Sequence, residues 1–167
     1  AAHRRRRRWN SRGGGGADQP VSQDPYPGNP GGVEQSYKVI ASLDLANKYQ
    51  SNEAADHYEC NIFAKNYANQ MGAPLPEHLD WNDDGIKDRY LNANQMVAWL
   101  RGTFNEGGEA VIQGPAQGWQ SMDSGQAAEM ASKGYVVIAG WENLQGIHGH
   151  MAVVRPDSTA DNIRIAQ

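Results

Sequence analysis

Two residues in this chain have the type and setting for covalent chemistry: Cys60, the only cysteine among 167 residues, and His150, at the head of the run Gly149-His150-Met151-Ala152-Val153-Val154. A lone thiol cannot close an internal disulfide, so it serves as a small core residue, a surface thiol or a nucleophile. The stretch His57-Tyr58-Glu59-Cys60-Asn61-Ile62-Phe63-Ala64 places it in the first turn of an expected helix. Unpaired N–H groups and partial positive charge at such a helix start favour a thiolate over a thiol. A cysteine nucleophile also needs a base within hydrogen-bond reach and a polar group that orients the base. Five histidines are available. His3 lies in an arginine-rich tail, His57 directly precedes the cysteine helix, His78 follows Pro74 and Pro76, and His148 reads as a loop residue. Strand alternation puts His150 on one face with Ala152 and Val154, where a rigid apolar strand would hold an imidazole in place. In this reading the thiolate attacks a carbonyl carbon, and the Cys60 N–H, with the Tyr58 side chain, steadies the oxyanion before water releases the acyl group.

A second constellation is Asp80-x-Asn82-x-Asp84-Gly85-x-x-Asp88, with short oxygen ligands alternating around a glycine turn as in a calcium loop. Position 12 of such a loop, normally a bidentate Glu, is Leu91. The pattern therefore reads either as a structural Ca²⁺ site or as an acidic turn leading into the next helix. Zinc is disfavoured, since one cysteine and scattered histidines supply no ligand cluster. Trp119 and Trp141, beside glycine-rich loops, are candidates for a substrate groove, whereas Trp99 falls on a helical apolar stripe and reads as core.

The elements that must carry these residues follow from periodicity. Tyr37, Ile40, Leu43, Leu45 and Ala46 give a helical spacing through about residue 49, and Cys60, Phe63, Ala64, Tyr67, Ala68 and Met71 form a sharper stripe that Gly72 ends. Further helices are expected over 93–103 and 124–132, the latter closed by Gly134. Ala110-Val111-Ile112 is a short strand candidate. The period then changes to two β-branched runs, Tyr135 to Trp141 and His150 to Arg155, with Asn162 to Ala166 as a third strand. Helices first and strands after predict an α+β fold, with helices packed on one antiparallel sheet.

Composition narrows the function classes. At 39% hydrophobic residues the length suits one core, expected over 34–167 behind an Arg-, Gly- and Pro-rich leader at 1–33. No apolar run approaches the ~18–20 residues of a membrane helix, and no apolar signal-peptide core follows the arginines. Six of the fifteen basic residues lie in the first twelve positions, leaving nine against nineteen acidic residues in the remainder. An acidic domain argues against nucleic acid as a partner.

A cysteine opening an amphipathic helix, followed 90 residues later by a Gly-His-Met-Ala-Val-Val strand, resembles the papain-like bacterial cell-wall hydrolases of the CHAP type, over residues about 55 to 156. The resemblance implies a papain-like fold and a peptidoglycan amidase or endopeptidase in which Cys60 is nucleophile and His150 base. It implies an orienting polar residue on the following strand, which falls to Asn162 or to Asp157 in the turn before it. It further implies a secreted enzyme, or one delivered to the periplasm or cell wall, with a possible immunity or inhibitor protein as partner and no cofactor in the chemistry. Two other readings stand beside it: a cysteine protease or deamidase acting on a protein, and a calcium-stabilised binding module whose cysteine is only buried.

Overall fold

Two short runs rich in Val, Ile and Ala, 136–139 and 152–154, build the centre of the sheet. The computed structural model describes residues 32–45, 59–73, 75–76, 78–79, 89–105, 112–146 and 148–167. Within them the order is α1 (Gly32–Leu45), α2 (Cys60–Gln70), β1 (His78–Leu79), β2 (Arg89–Tyr90), α3 (Ala93–Arg101), a 3-10 turn at Gly114–Gln117, α4 (Ser124–Ser132), β3 (Ile138–Trp141), β4 (His150–Val154) and β5 (Ile165–Ala166). The architecture is α+β, as composition and periodicity predict. β3, β4 and β5 form an antiparallel sheet in that order with β4 central, and β1 and β2 make a separate two-residue pair.

β4 is covered on both faces, which is why its sequence runs apolar without interruption. Met151 packs with Ala64, Ala68, Leu91 and Met96, and Val153 with Phe63, Tyr67 and Ala166, so these alternate residues face the helices α2, α1 and α3. Val154 lies on the opposite face with Val137 and with Ala131 of α4. The α2 stripe is buried as its spacing predicts: Phe63, Ala64, Tyr67 and Ala68 are fully enclosed. Removing a side chain as large as Phe63 from water contributes roughly 1.5–3 kcal/mol. α1 is fastened to α2 by a buried hydrogen bond of 2.7 Å between Ser36 Oγ and the Tyr67 hydroxyl. Burial raises the Tyr67 phenol above its ordinary range, and the Ser36 hydrogen bond opposes that rise.

The two later helices, α3 and α4, begin with reciprocal caps. The Asn92 side chain accepts from the Gln95 N–H while the Gln95 side chain accepts from the Asn92 N–H, both at 2.9 Å, and Asp123 and Gln126 repeat the arrangement at α4. Gly134 ends α4 at φ +84°, and a Cβ there would lie 2.4 Å from the backbone of Gly32 and Val33, so glycine is needed for space as well as for conformation. Trp99 is core, as its helical position predicts, and donates from Nε1 to the Ile112 carbonyl at 3.2 Å.

Some expectations shift or fall elsewhere. α1 already includes Gly32 and Val33, assigned from sequence to the leader, and the third strand is shorter than expected, with Asn162 in an isolated bridge to Thr159. Residues 1–31, Tyr58, the acidic loop of Asp80, Asn82, Asp84 and Asp88, and Ala110 with Val111 lie outside the described residues. Among the described residues no helix is long and apolar enough to cross a membrane.

Candidate active site

Cys60 is the first residue of α2. Glu59 precedes it at the N-cap position without capping the helix through its side chain, and the Glu59 carbonyl accepts the first helical bond, from the Phe63 N–H at 2.9 Å. The Cys60 N–H thus belongs to the set of helix-start donors that have no partner within the helix. The thiol is half-buried against the core cluster that contains Ala64 and Met151. It is neither an enclosed core residue nor a surface one, a position that suits a group required to meet a substrate.

A chain of polar contacts brings the starts of α2, α3 and β4 to one end of the molecule. Asn61 Nδ2, next to the cysteine, donates to the Leu91 carbonyl at 2.8 Å, just ahead of the α3 cap. Asn94, in the first turn of α3, accepts the Asn143 N–H at 2.8 Å through Oδ1 and donates from Nδ2 to the carbonyls of Gly146 and Asn143 at 3.1 and 3.3 Å. That side chain ties down the loop between β3 and β4. Gly149 ends the loop so close to Asn94 that a Cβ would sit 2.4 Å from Asn94 Oδ1 and 2.6 Å from the Trp141 carbonyl. The next residue is His150.

His150 is half-buried at the start of β4, and its Nε2 donates a hydrogen bond to Gln167 Oε1. An amide oxygen only accepts, so Nε2 carries the hydrogen and a neutral ring keeps its lone pair on Nδ1. Gln167 reaches the ring because of register. β5 pairs Val153 with Ala166 and Val154 with Ile165, so Gln167 falls opposite Ala152, on the face of β4 that His150 shares and one diagonal step away. Trp141 is the direct cross-strand partner of His150, with ring centroids 6.3 Å apart and planes tilted by 35°, and it is 54% exposed.

The structure differs from the sequence reading at the orienting position. Asp157 is ion-paired with Arg155 at 3.2 Å and with Arg164, and Asn162 is engaged through its backbone in the Thr159 bridge; neither bonds the imidazole. Gln167, which does, was not among the expected residues. The signal for it was the alternation of the last strand, which continues one residue past Ala166. Trp119 packs half-buried on the core cluster and lines a cleft beside β3, whereas Trp141 borders the histidine directly. Asn61 and Asn94 link the start of α2, through the start of α3, to the loop before β4, but Cys60 and His150 are not joined by a hydrogen bond; Met151, not His150, is on the β4 face that packs on α2. Tyr58 and the four acidic-loop positions lie outside the described residues.

No protein-family model, curated protein or solved structure matches this chain.

Proposed function

We propose that the chain is a papain-like, cysteine-dependent hydrolase that cleaves amide bonds in the peptide part of peptidoglycan, acting in the periplasm or cell wall after secretion or delivery. The observation that carries the reading is the His150–Gln167 hydrogen bond at the head of β4, the strand on which the Cys60 helix packs. It supplies what a lone cysteine and a strand histidine lack on their own, a fixed tautomer with the basic nitrogen free.

In the proposed reaction Nδ1 of His150 takes the Cys60 thiol proton, and the thiolate adds to the amide carbonyl carbon. The Cys60 N–H stabilises the oxyanion, and the imidazolium returns the proton to the departing amine as the C–N bond breaks. Water, deprotonated by the same nitrogen, hydrolyses the thioester and restores the thiol. For this transfer the His150 ring, at the head of β4, must turn toward the face that Met151 presents to α2. A structural calcium ion at Asp80, Asn82, Asp84 and Asp88 belongs to the proposal on the strength of the ligand pattern alone, and EGTA would then lower the melting temperature.

The test is digestion of purified peptidoglycan, with mass analysis of the released muropeptides to name the bond. Cys60→Ala and His150→Ala are each expected to abolish release with unchanged circular dichroism. Full activity in either variant overturns the mechanism. Iodoacetamide at pH 6 should alkylate Cys60 rapidly in the native protein; a thiol inert until unfolding favours the binding-module reading instead.

A further inference from the structure

A cleft of about 490 Å³ runs beside β3, and residues 136–140, five in succession, all line it. Successive strand residues point to opposite faces, so a cavity that touches Ile138, Ala139 and Gly140 in turn reaches the edge of β3, and through Val154 and Ile163 it continues over the sheet face beside α4. Its walls agree: Val97 and Leu100 of α3 close one side, Ala127 of α4 the other, and Trp119 and Met122 lie across from the strand. β3 is an outer strand, paired with β4 alone among the described residues.

Register fixes which backbone groups face this cleft. The Val154 N–H donates to the Val137 carbonyl at 2.9 Å, so Val137 is a hydrogen-bonded ladder position. Stepping by two along the pairing of Ala139 with Ala152 and Trp141 with His150, those residues also turn their N–H and C=O groups toward β4. Ile138 and Gly140 therefore aim theirs outward. Two donors and two acceptors at strand spacing, with apolar side chains on both sides and polar ones such as Arg101 and Asp123 also in the lining, match an extended peptide backbone.

We propose that the cleft is a docking groove in which the peptide limb of peptidoglycan lies extended as an added strand on β3. This rests on the hydrolase reading for the identity of the peptide, but not for the groove. β3 ends at Trp141, the cross-strand partner of His150, so a peptide that follows the strand arrives at the histidine. The backbone pairing supplies affinity, and the site beyond Trp141 selects the bond.

The experiment uses ¹⁵N-labelled Cys60→Ala protein, titrated with the tetrapeptide stem released from peptidoglycan and with the same peptide N-methylated at its backbone amides. The stem should shift the amide signals of Ile138 and Gly140 more than those of Ala139 and Trp141, and N-methylation should weaken binding by about tenfold or more. Equal binding of the two peptides, or shifts that spare both outward amides, overturns the proposal. Preferential binding of an all-L peptide of protein composition overturns the assigned occupant. The hydrolase reading is scored separately by wild-type digestion: hydrolysis without shifts at Ile138 and Gly140 sinks the groove alone, and those shifts without hydrolysis sink the hydrolase alone.

Discussion

Gln167 receives the Nε2 hydrogen of His150 from one diagonal step across the β4–β5 ladder, so the last strand sets the tautomer of the ring on the central one. Removing the amide in Gln167→Ala frees the ring to rotate and to exchange its proton between nitrogens. The expected loss is about ten- to a hundredfold in kcat, a part of the ~10²–10⁴ that a positioned acid–base group provides. Gln167→Glu keeps an acceptor but adds a negative charge that favours imidazolium, so the acid limb of the rate profile should move to higher pH. An unchanged kcat in Gln167→Ala, with folding verified, removes Gln167 from the mechanism.

Asn94 anchors the loop that leads to the same histidine. One side chain satisfies three backbone groups of the β3–β4 loop, the Asn143 N–H and the carbonyls of Asn143 and Gly146. Asn94→Ala should cost about 1–3 kcal/mol, since these groups are left without their partner. Asn94→Asp should be no better: it keeps the acceptor for Asn143 but turns a carboxylate oxygen on two carbonyls. A positioning role predicts that hydrolysis falls further than the shift in melting temperature explains, measured at a temperature where both variants are fully folded. Loss of stability with intact kcat would make Asn94 structural only.

Much of the scaffold was legible in the sequence because its signals are local. The stripe from Cys60 to Met71 and the helix from Ser124 to Ser132 return at nearly the expected bounds, and the two β-branched runs return as β4, buried on both faces, and as β3, which starts three residues later than the run at Tyr135. The hydrogen-bond partner of His150 was not legible because it depends on register across two strands, which no local pattern specifies. Asp157 and Asn162 were attractive as polar residues between His150 and the chain's last strand. Asp157 is instead drawn to two arginines, and Asn162 closes a turn. The cleft beside β3 escaped for a similar reason: it is lined largely by apolar side chains and by backbone, whose outward direction appears only once the pairing with β4 is known.

Gly140 marks how tightly α3 sits on that edge strand. A Cβ at this position would lie 2.8 Å from Val97 Cγ2, closer than two carbons can approach. Gly140→Ala should therefore destabilise by about 1–3 kcal/mol, the usual cost of overpacking. The clash is with a side chain, so Val97→Ala in the same protein should restore much of the loss, and a double-mutant cycle in urea would read the coupling. At Gly149 the obstacle includes the Trp141 carbonyl, which no side-chain substitution removes; Gly149→Ala should stay destabilised in the Asn94→Ala background. Equal rescue at both positions would contradict the close backbone approach at Gly149.

Asp157 gives the fold a pH dependence of known sign. Partial burial works to raise its carboxyl, but the hydrogen bond from Arg155, its own backbone amide, and the charges of Arg164 and Arg155 together outweigh this and hold it below the usual carboxylate range. A carboxyl depressed in the folded state stabilises above its unfolded value near pH ~4, and that contribution disappears as pH falls through the lower, folded value. The Asp157→Asn variant should then melt below the wild type at pH 7, and the two curves should converge in acid. The pairs that Asp157 makes with Arg155 and Arg164 bridge the residue after β4 to the residue before β5, the same two strands that carry His150 and lead to Gln167. Weakening them should loosen the strand that presents Gln167, so acid would erode hydrolysis through strand order as well as through protonation of the base. Melting curves of both proteins from pH 3 to 8, paired with digestion rates, separate the two: if Asp157→Asn lowers the rate at pH 7 without changing the position of the acid limb, strand order is the link, and a shifted limb would instead assign Asp157 to the imidazole.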